Sequence, residues 1–254
     1  MLTFTRLGKY GRLGNQMFQI AASIGISSRN NDSYYLPTWW CSYTRKDMVP
    51  FFNFATSKPL SRPLKKLIEM KESHFHYYTL TYSNSQSIDL YGYYQSVKYF
   101  SNVESTIRKV FAPSLAMQKK VNLLRPRLKG KAAIHVRRGD YVNNPHHEVC
   151  GVDYYQRAME YAKTHFSIKG FVFFSDDIAW CSSTFPGHDY MTGNPDAFDL
   201  HLMSSCDIVI MANSSFSWWA AWLNGKHAIC PSAWFGPSYN LITNDLYTEK
   251  MIKL

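Results

Sequence analysis

Ala132-Ala133-Ile134-His135-Val136-Arg137-Arg138-Gly139-Asp140 decides the fold of this chain. A short apolar strand runs straight into two arginines, a glycine and an aspartate. In an α/β sheet, ligands bind at the carboxyl ends of the strands. Two guanidiniums placed there call for an anion, and phosphate matches their planar donor fork. Taken alone, the string is also explained by two surface arginines that happen to follow a strand.

Outward from this stretch, the second half alternates strands and helices. Ala132–Val136, Gly170–Phe174, Ile208–Met211 and His227–Cys230 read as strands. Asp153–His165, Ile178–Ser183, a segment from Pro195 to about Ser205, and Ser215–Leu223 read as helices. Such alternation predicts a parallel sheet with helices on both faces. In the first half, Leu2–Leu7 reads as a strand, Gly8, Gly11 and Gly14 as a loop, and Asn15–Ser28 as a helix. From Ser33 to Tyr99 the chain is aromatic-rich without a sustained period, and Val103–Phe111 and Ser114–Leu124 look helical. The basic segment Arg125–Lys131, with Pro126 and Gly130, marks the boundary between an N-terminal domain, 1–125, and a C-terminal domain, 126–254.

Three predicted strands end in polar clusters that a parallel sheet places along one edge: Arg137-Arg138-Gly139-Asp140, Ser175-Asp176-Asp177 and Ala212-Asn213-Ser214-Ser215. This is the pattern of a nucleotide site. Arg137, on the same strand face as His135, can neutralise a diphosphate. Ser214, Ser215 and the amides of the following helix start, with Asn213 and Phe216, form a second anion site. Asp176 or Asp177 can accept paired donors from a guanine or can cap a helix, and both tasks stay open. The loop before Asn15 lacks the spacing of a dinucleotide fingerprint and the end of a P-loop, but it can bring Gly14 amides and Asn15 to a ligand. His146-His147-Glu148 reads as a solvated polar loop rather than a metal site, so no metal is expected.

With 28 basic and 18 acidic residues the chain carries +10, which favours anionic partners: nucleotides, nucleic acid or an anionic membrane surface. Five cysteines without a Cys-x-x-Cys pair argue against a disulfide framework and a zinc site, and fit a reducing compartment. No apolar run is long enough for a signal peptide or a membrane span. A cytoplasmic protein is expected, in peripheral contact with an anionic membrane at most.

Together these pieces resemble the α-1,2-fucosyltransferases of glycosyltransferase family 11. The resemblance rests on Gly11-Arg12-Leu13-Gly14-Asn15-Gln16-Met17-Phe18, on Tyr91-Gly92-Tyr93-Tyr94-Gln95-Ser96 with Lys98-Tyr99-Phe100, and on His135-Val136-Arg137-Arg138-Gly139-Asp140-Tyr141. It continues through Phe174-Ser175-Asp176-Asp177 and Asn213-Ser214-Ser215-Phe216-Ser217-Trp218-Trp219. It implies two Rossmann-like domains of the GT-B type, the C-terminal one a doubly wound parallel sheet binding the GDP-sugar and the N-terminal one binding the acceptor. It implies GDP-β-L-fucose as donor, transfer to the 2-hydroxyl of a terminal galactose with inversion, and no essential metal or other cofactor. It places the β-phosphate on Arg137 with Arg138 beside it, guanine on Asp177, and phosphate on Ser214 and Ser215. Animal members carry a membrane anchor before the first motif, so a bacterial member is expected.

A single in-line displacement accounts for inversion, with Arg137 stabilising the leaving diphosphate. Asp140 lies beside two arginines, which would lower its pKa and make it a poor base, so it is expected to orient an arginine. Glu148, His135 or no side chain at all remain for the base, and Asn15 for positioning the fucose or the incoming hydroxyl. Tyr34, Tyr35, Trp39, Trp40 and Tyr43 can stack on galactose or fill a core. Trp218, Trp219 and Trp222 read as packing. A non-catalytic carbohydrate-binding protein would explain the aromatics but not three polar strand ends. A nucleic-acid-binding protein should gather its basic residues in a stripe. Another GDP-sugar transferase on the same fold is the closest rival.

Overall fold

The computed structural model describes residues 1–42, 45–54 and 66–254. The chain divides into two compact units, Met1–Ser114 with Ile242–Tyr247, and Leu115–Leu241 with Thr248–Leu254. The boundary therefore lies before residue 115, not at 125/126. Arg125–Lys131 is no linker, because it forms the last turns of a helix and the first residue of a strand.

Unit one holds β1 (Leu2–Thr3), α1 (Leu13–Arg29), β2 (Tyr34–Tyr35), β3 (Trp40–Cys41), β4 (Lys46–Asp47), β5 (Leu67–Lys71), β6 (Ser87–Tyr91) and α2 (Glu104–Val110). Strands β2-β1-β6-β5 form a parallel sheet, and β3 and β4 pair antiparallel. β1 stops at Thr3 rather than Leu7. There the Asp89 carboxylate takes over, accepting from Thr5 N (2.8 Å) and Thr5 Oγ1 (2.6 Å). α1 is buried nearly all round, through Met17, Phe18, Ile20, Ala21, Ile24 and Ile26. Two buried glutamines on α1 hold the preceding loop: Gln16 Nε2 donates to Gly11 O (2.7 Å) and Gln19 Nε2 to Tyr10 O (3.0 Å). Just after β5, Glu72 accepts from Tyr93 N (2.7 Å) and Tyr94 N (2.9 Å), fixing the segment that follows β6.

Unit two begins with α3 (Leu115–Leu128) and continues through β7 (Lys131–Val136), α4 (Val152–Phe166), β8 (Gly170–Ser175), α5 (Ile178–Thr184), β9 (Asp189–Met191), α6 (Asp196–Met203), β10 (Ile208–Ile210), α7 (Ser215–Asn224), β11 (Ala228–Cys230) and β12 (Met251–Lys253). The sheet is parallel throughout, in the order β12-β11-β10-β7-β8-β9. Register places Ile134 between Phe173 on β8 and Ile210 on β10. Ala132, Ile134 and Val136 pack with Tyr154, Tyr155 and Ala158 of α4 on one face. His135 meets Phe216 of α7 on the other. Burial on both faces explains why these strands read as unbroken apolar runs. From β7 the chain moves outward to β8 and β9, then returns to the other side of β7 as β10. The strand order thus reverses between β7 and β10, and ligands bind at the carboxyl side of such a switch point.

Two outcomes test this packing. Gly25 lies against the Tyr99 carbonyl and the Phe100 backbone, with no room for a methyl group. Alanine would otherwise favour the helix, so Gly25→Ala is expected to destabilise by about 1–3 kcal/mol in urea denaturation because overpacking outweighs propensity. Burial raises the Glu72 carboxyl from 4.5 to about 7. Between those values the folded chain keeps a proton the unfolded chain has released, so stability falls as pH rises from 4.5 to 7. Glu72→Gln should flatten that slope in denaturation curves taken across the window.

Candidate active site

Side chains on β7 alternate between the two faces until Val136, where the strand ends and the chain turns. Arg137 is held there with its side chain only 13% exposed. Its Nη1 lies 2.7 Å from Asp176 Oδ2, its Nη2 pairs with Asp140, and its Cζ is 5.6 Å from the centre of the Tyr141 ring. Arg138 donates from its backbone N to Asp176 Oδ1 (2.9 Å) and from Nε to Asp177 Oδ2 (3.0 Å), while its Cζ lies 4.1 Å over Trp180. One carboxylate, Asp176, therefore binds both arginines and ties the end of β8 to the end of β7. Gly139 permits this, because a Cβ there would sit 2.6 Å from Asp176 Oδ2.

Asp177 caps α5, accepting from Trp180 N (3.0 Å). This bond and the Arg138 partner hold its carboxyl below the usual range. Both aspartates are thus engaged within the protein, Asp177 in the capping role and Asp176 as the arginine clamp.

At the end of β10, Ser214 caps α7, its Oγ accepting from Phe216 N (3.3 Å). Ser215 stands half-buried in the first turn of α7. Asn213 was expected to serve the ligand, but its buried amide donates to His147 O (2.9 Å) and Trp234 O (3.0 Å). It clamps two loops and reaches no ligand through those hydrogens. Tyr141 OH donates to Asn213 O (3.2 Å), and the Tyr141 and His147 rings stack at 4.7 Å. The three polar strand ends belong to the neighbouring strands β10, β7 and β8, so they gather at the switch point.

His135 is buried with its ring 5.2 Å from Phe216. Burial first, then the Arg137 charge, pushes its pKa down to about 3. It is neutral at pH 7 and too weak a proton acceptor to act as the base sketched above. Exposed Glu148 accepts from Asn143 N (3.1 Å) and closes its own loop. Gly14 and Asn15 belong to unit one, where α1 begins two residues earlier than expected and takes both into its first turn. Asn15 Oδ1 accepts from Gln95 Nε2 (2.7 Å), which joins the glycine-loop motif to the segment after β6.

Of the aromatic candidates, Trp39 is core: it stacks on Phe52 at 5.1 Å and donates to Gln16 Oε1 (2.7 Å). Tyr34 and Trp40 are exposed, Tyr35 is half-buried, and Tyr43 lies outside the described residues. Trp218, Trp219 and Trp222 are buried in a mutual cluster. Trp180, the platform under Arg138, escaped the sequence reading; its only signal is a position three residues after the capping Asp177. Among the described residues no group of three or more His, Cys, Asp or Glu is placed to hold a metal ion.

If Asn213 is a clamp, Asn213→Ala leaves the part-buried His147 carbonyl and the buried Trp234 carbonyl without this donor. A loss of about 2–4 kcal/mol is expected in urea denaturation. An unchanged midpoint would free Asn213 for a ligand role.

Residues 3–235 match the family described as Glycosyl transferase family 11. The chain is 31% identical to an alpha-1,2-colitosyltransferase of Escherichia coli, across 89% of this chain and 90% of that protein. It is 28% identical to a galactoside 2-alpha-L-fucosyltransferase of Caenorhabditis elegans, across 87% of this chain and 68% of that protein. Among solved structures, apo POFUT1 superposes with a TM-score of 0.61 at 12% identity, across 91% and 97% of the two chains. NodZ alpha-1,6-fucosyltransferase soaked with GDP-fucose does so at 0.54 and 13% identity, across 86% and 90%. These structures share the fold of this chain. With a family match spanning nearly its whole length, the chain belongs to glycosyl transferase family 11.

Proposed function

We propose that this glycosyltransferase, of the GT-B type, moves L-fucose from GDP-β-L-fucose to the 2-hydroxyl of a terminal galactose, with inversion and without a metal. The observation that carries it is the preorganised Arg137 guanidinium at the β7–β10 switch point, facing the strand edge where nucleotides bind. In this account unit two binds the GDP-sugar and unit one, with its exposed Tyr34 and Trp40, recognises the acceptor.

The local charges suggest how the diphosphate is received. Two arginines stand among three carboxylates, so the cluster is not strongly cationic. Asp176 is held by both arginines, whereas Asp140 is 56% exposed and meets Arg137 at Nη2. Exposed ion pairs are weak. An incoming β-phosphate would displace Asp140 from Nη2 while Asp176 keeps the guanidinium aligned. The amides at the α7 start, capped by Ser214, add fixed partial positive charge. As the galactose hydroxyl attacks, giving up its proton to water, and the anomeric C–O bond breaks, the GDP oxygen gains charge that Arg137 offsets. The cation required by the leaving group is thus supplied by the side chain, and each nearby carboxylate is paired with an arginine.

The colitosyltransferase relative supports a second reading, a GDP-colitose donor. Colitose is fucose without its 3-hydroxyl. A site that hydrogen-bonds a hydroxyl rejects the analogue lacking it far more strongly than an apolar pocket rejects an extra hydroxyl. GDP release should therefore be measured from both donors with lactose in EDTA. Lactose-dependent release faster from GDP-fucose, surviving EDTA and reduced about 10²–10³-fold by Arg137→Ala, is expected. Preference for GDP-colitose would transfer the assignment to the second reading, and loss of release in EDTA would overturn metal independence.

A further inference from the structure

Most of the densest run of positive charge lies away from the donor edge. From Ser105 to Gly139 the chain carries ten Lys and Arg and no Asp or Glu. Six of them, Lys119, Lys120, Arg125, Arg127, Lys129 and Lys131, lie on α3 or just after it. α3 has two distinct faces. Met117, Val121 and Leu128 are buried, and the helix packs against α6. The opposite stripe, at four-residue spacing, reads Leu115, Lys119, Leu123, Arg127, with Leu115 85% and Leu123 79% exposed. Among the described residues none of Lys119, Lys120, Arg125, Arg127 and Lys129 has an acidic partner within ion-pair distance.

Beside this helix lies an open cavity of about 660 Å³, lined by Asn122, Arg125, Lys129, Ser205, Asp207 and Lys226. Asp207 already accepts from Gly130 N (2.7 Å) and Lys226 Nζ (3.2 Å), so the charges of Arg125 and Lys129 remain uncompensated. The cavity sits at the amino edge of the sheet, since Lys129 precedes β7, Asp207 precedes β10 and Lys226 precedes β11. Cations at a helix C-terminus complement its dipole. That accounts for Arg125 and Arg127, but not for Lys119 and Lys120 in mid-helix, nor for Leu115 and Leu123 in water on either side of Lys119.

We propose that α3 and this amino edge form a docking face for an anionic phospholipid surface. Phosphodiester headgroups would sit at Arg125 and Lys129, and Leu115 and Leu123 would enter the boundary between headgroups and acyl chains. Charge complementarity selects an anionic partner. The leucines alternating with cations select a lipid surface over a nucleic acid, whose phosphate backbone offers them nothing. Arg137 directly follows the strand that Lys131 begins, about 20 Å away at the rise of a strand. Docking at the amino edge leaves the donor edge in water.

The experiment is flotation of the full chain with vesicles of phosphatidylcholine, with or without phosphatidylglycerol. Binding is expected only with phosphatidylglycerol, weakening as salt rises. The double variant Lys119→Gln, Arg127→Gln should lower the partition coefficient about thirtyfold. Lys46→Gln with Arg157→Gln removes the same net charge elsewhere and should change it by no more than about twofold. Leu115→Ser with Leu123→Ser should weaken binding at unchanged charge. No binding by the folded protein, or equal losses in both charge pairs, would overturn the proposal. So would tighter binding to duplex DNA with no effect of the leucine pair. GDP release from GDP-fucose with lactose should be the same in all these variants, so a failure here is distinct from a failure of the donor assignment.

Discussion

The carboxyl edge of the unit-two sheet depends on the Asp176 carboxylate, which takes one oxygen to the Arg137 guanidinium and the other to the Arg138 backbone amide. A guanidinium at a strand end would otherwise sample many rotamers, and ordering it on binding would cost free energy. Asp176 orders it in advance and couples it to β8. Gly139 is the consequence, since only the missing Cβ lets the carboxylate come so near. The Arg-Arg-Gly-Asp string thus encodes a clamp and its clearance. The sheet order then gives the clamp its meaning, because β7 and β10 flank the only reversal in the strand sequence of that sheet.

The charge of the chain is divided between two faces of unit two with different characters. At the carboxyl edge, arginines and carboxylates nearly cancel. At the amino edge, the cations of α3 face water without acidic partners among the described residues. The overall excess of +10 therefore says little about the carboxyl edge. A net charge is a property of the whole surface and does not localise.

Most of unit two was legible because its strands are buried on both faces and its helices are long enough to show a period. The ends of α4, β8 and α7 fall within a residue or two of expectation. β9 and β12 were missed because they are the two edge strands of the sheet: with Asp189 and Lys253 exposed they lack the apolar run that marks β10 and β11, which are just as short. In unit one β1 to β4 are two residues each, too short for a period, and the chain there gains its order from tertiary bonds such as Thr5 to Asp89. Pro126 misled the boundary, because α3 carries a proline within its last turn. At the site, residue types and strand ends were readable. The partners were not: which aspartate holds which arginine, that Asn213 clamps loops and that burial silences His135 follow from distances that no local pattern encodes.

The central claim is that Arg137 anchors the β-phosphate of the nucleotide. It is tested most directly by calorimetric titration of GDP and GMP against the native chain and Arg137→Ala. The account predicts that the native chain prefers GDP over GMP and that the variant, still folded and still binding GMP, loses most of that preference. An undiminished preference for GDP in the variant would contradict it and place the β-phosphate elsewhere.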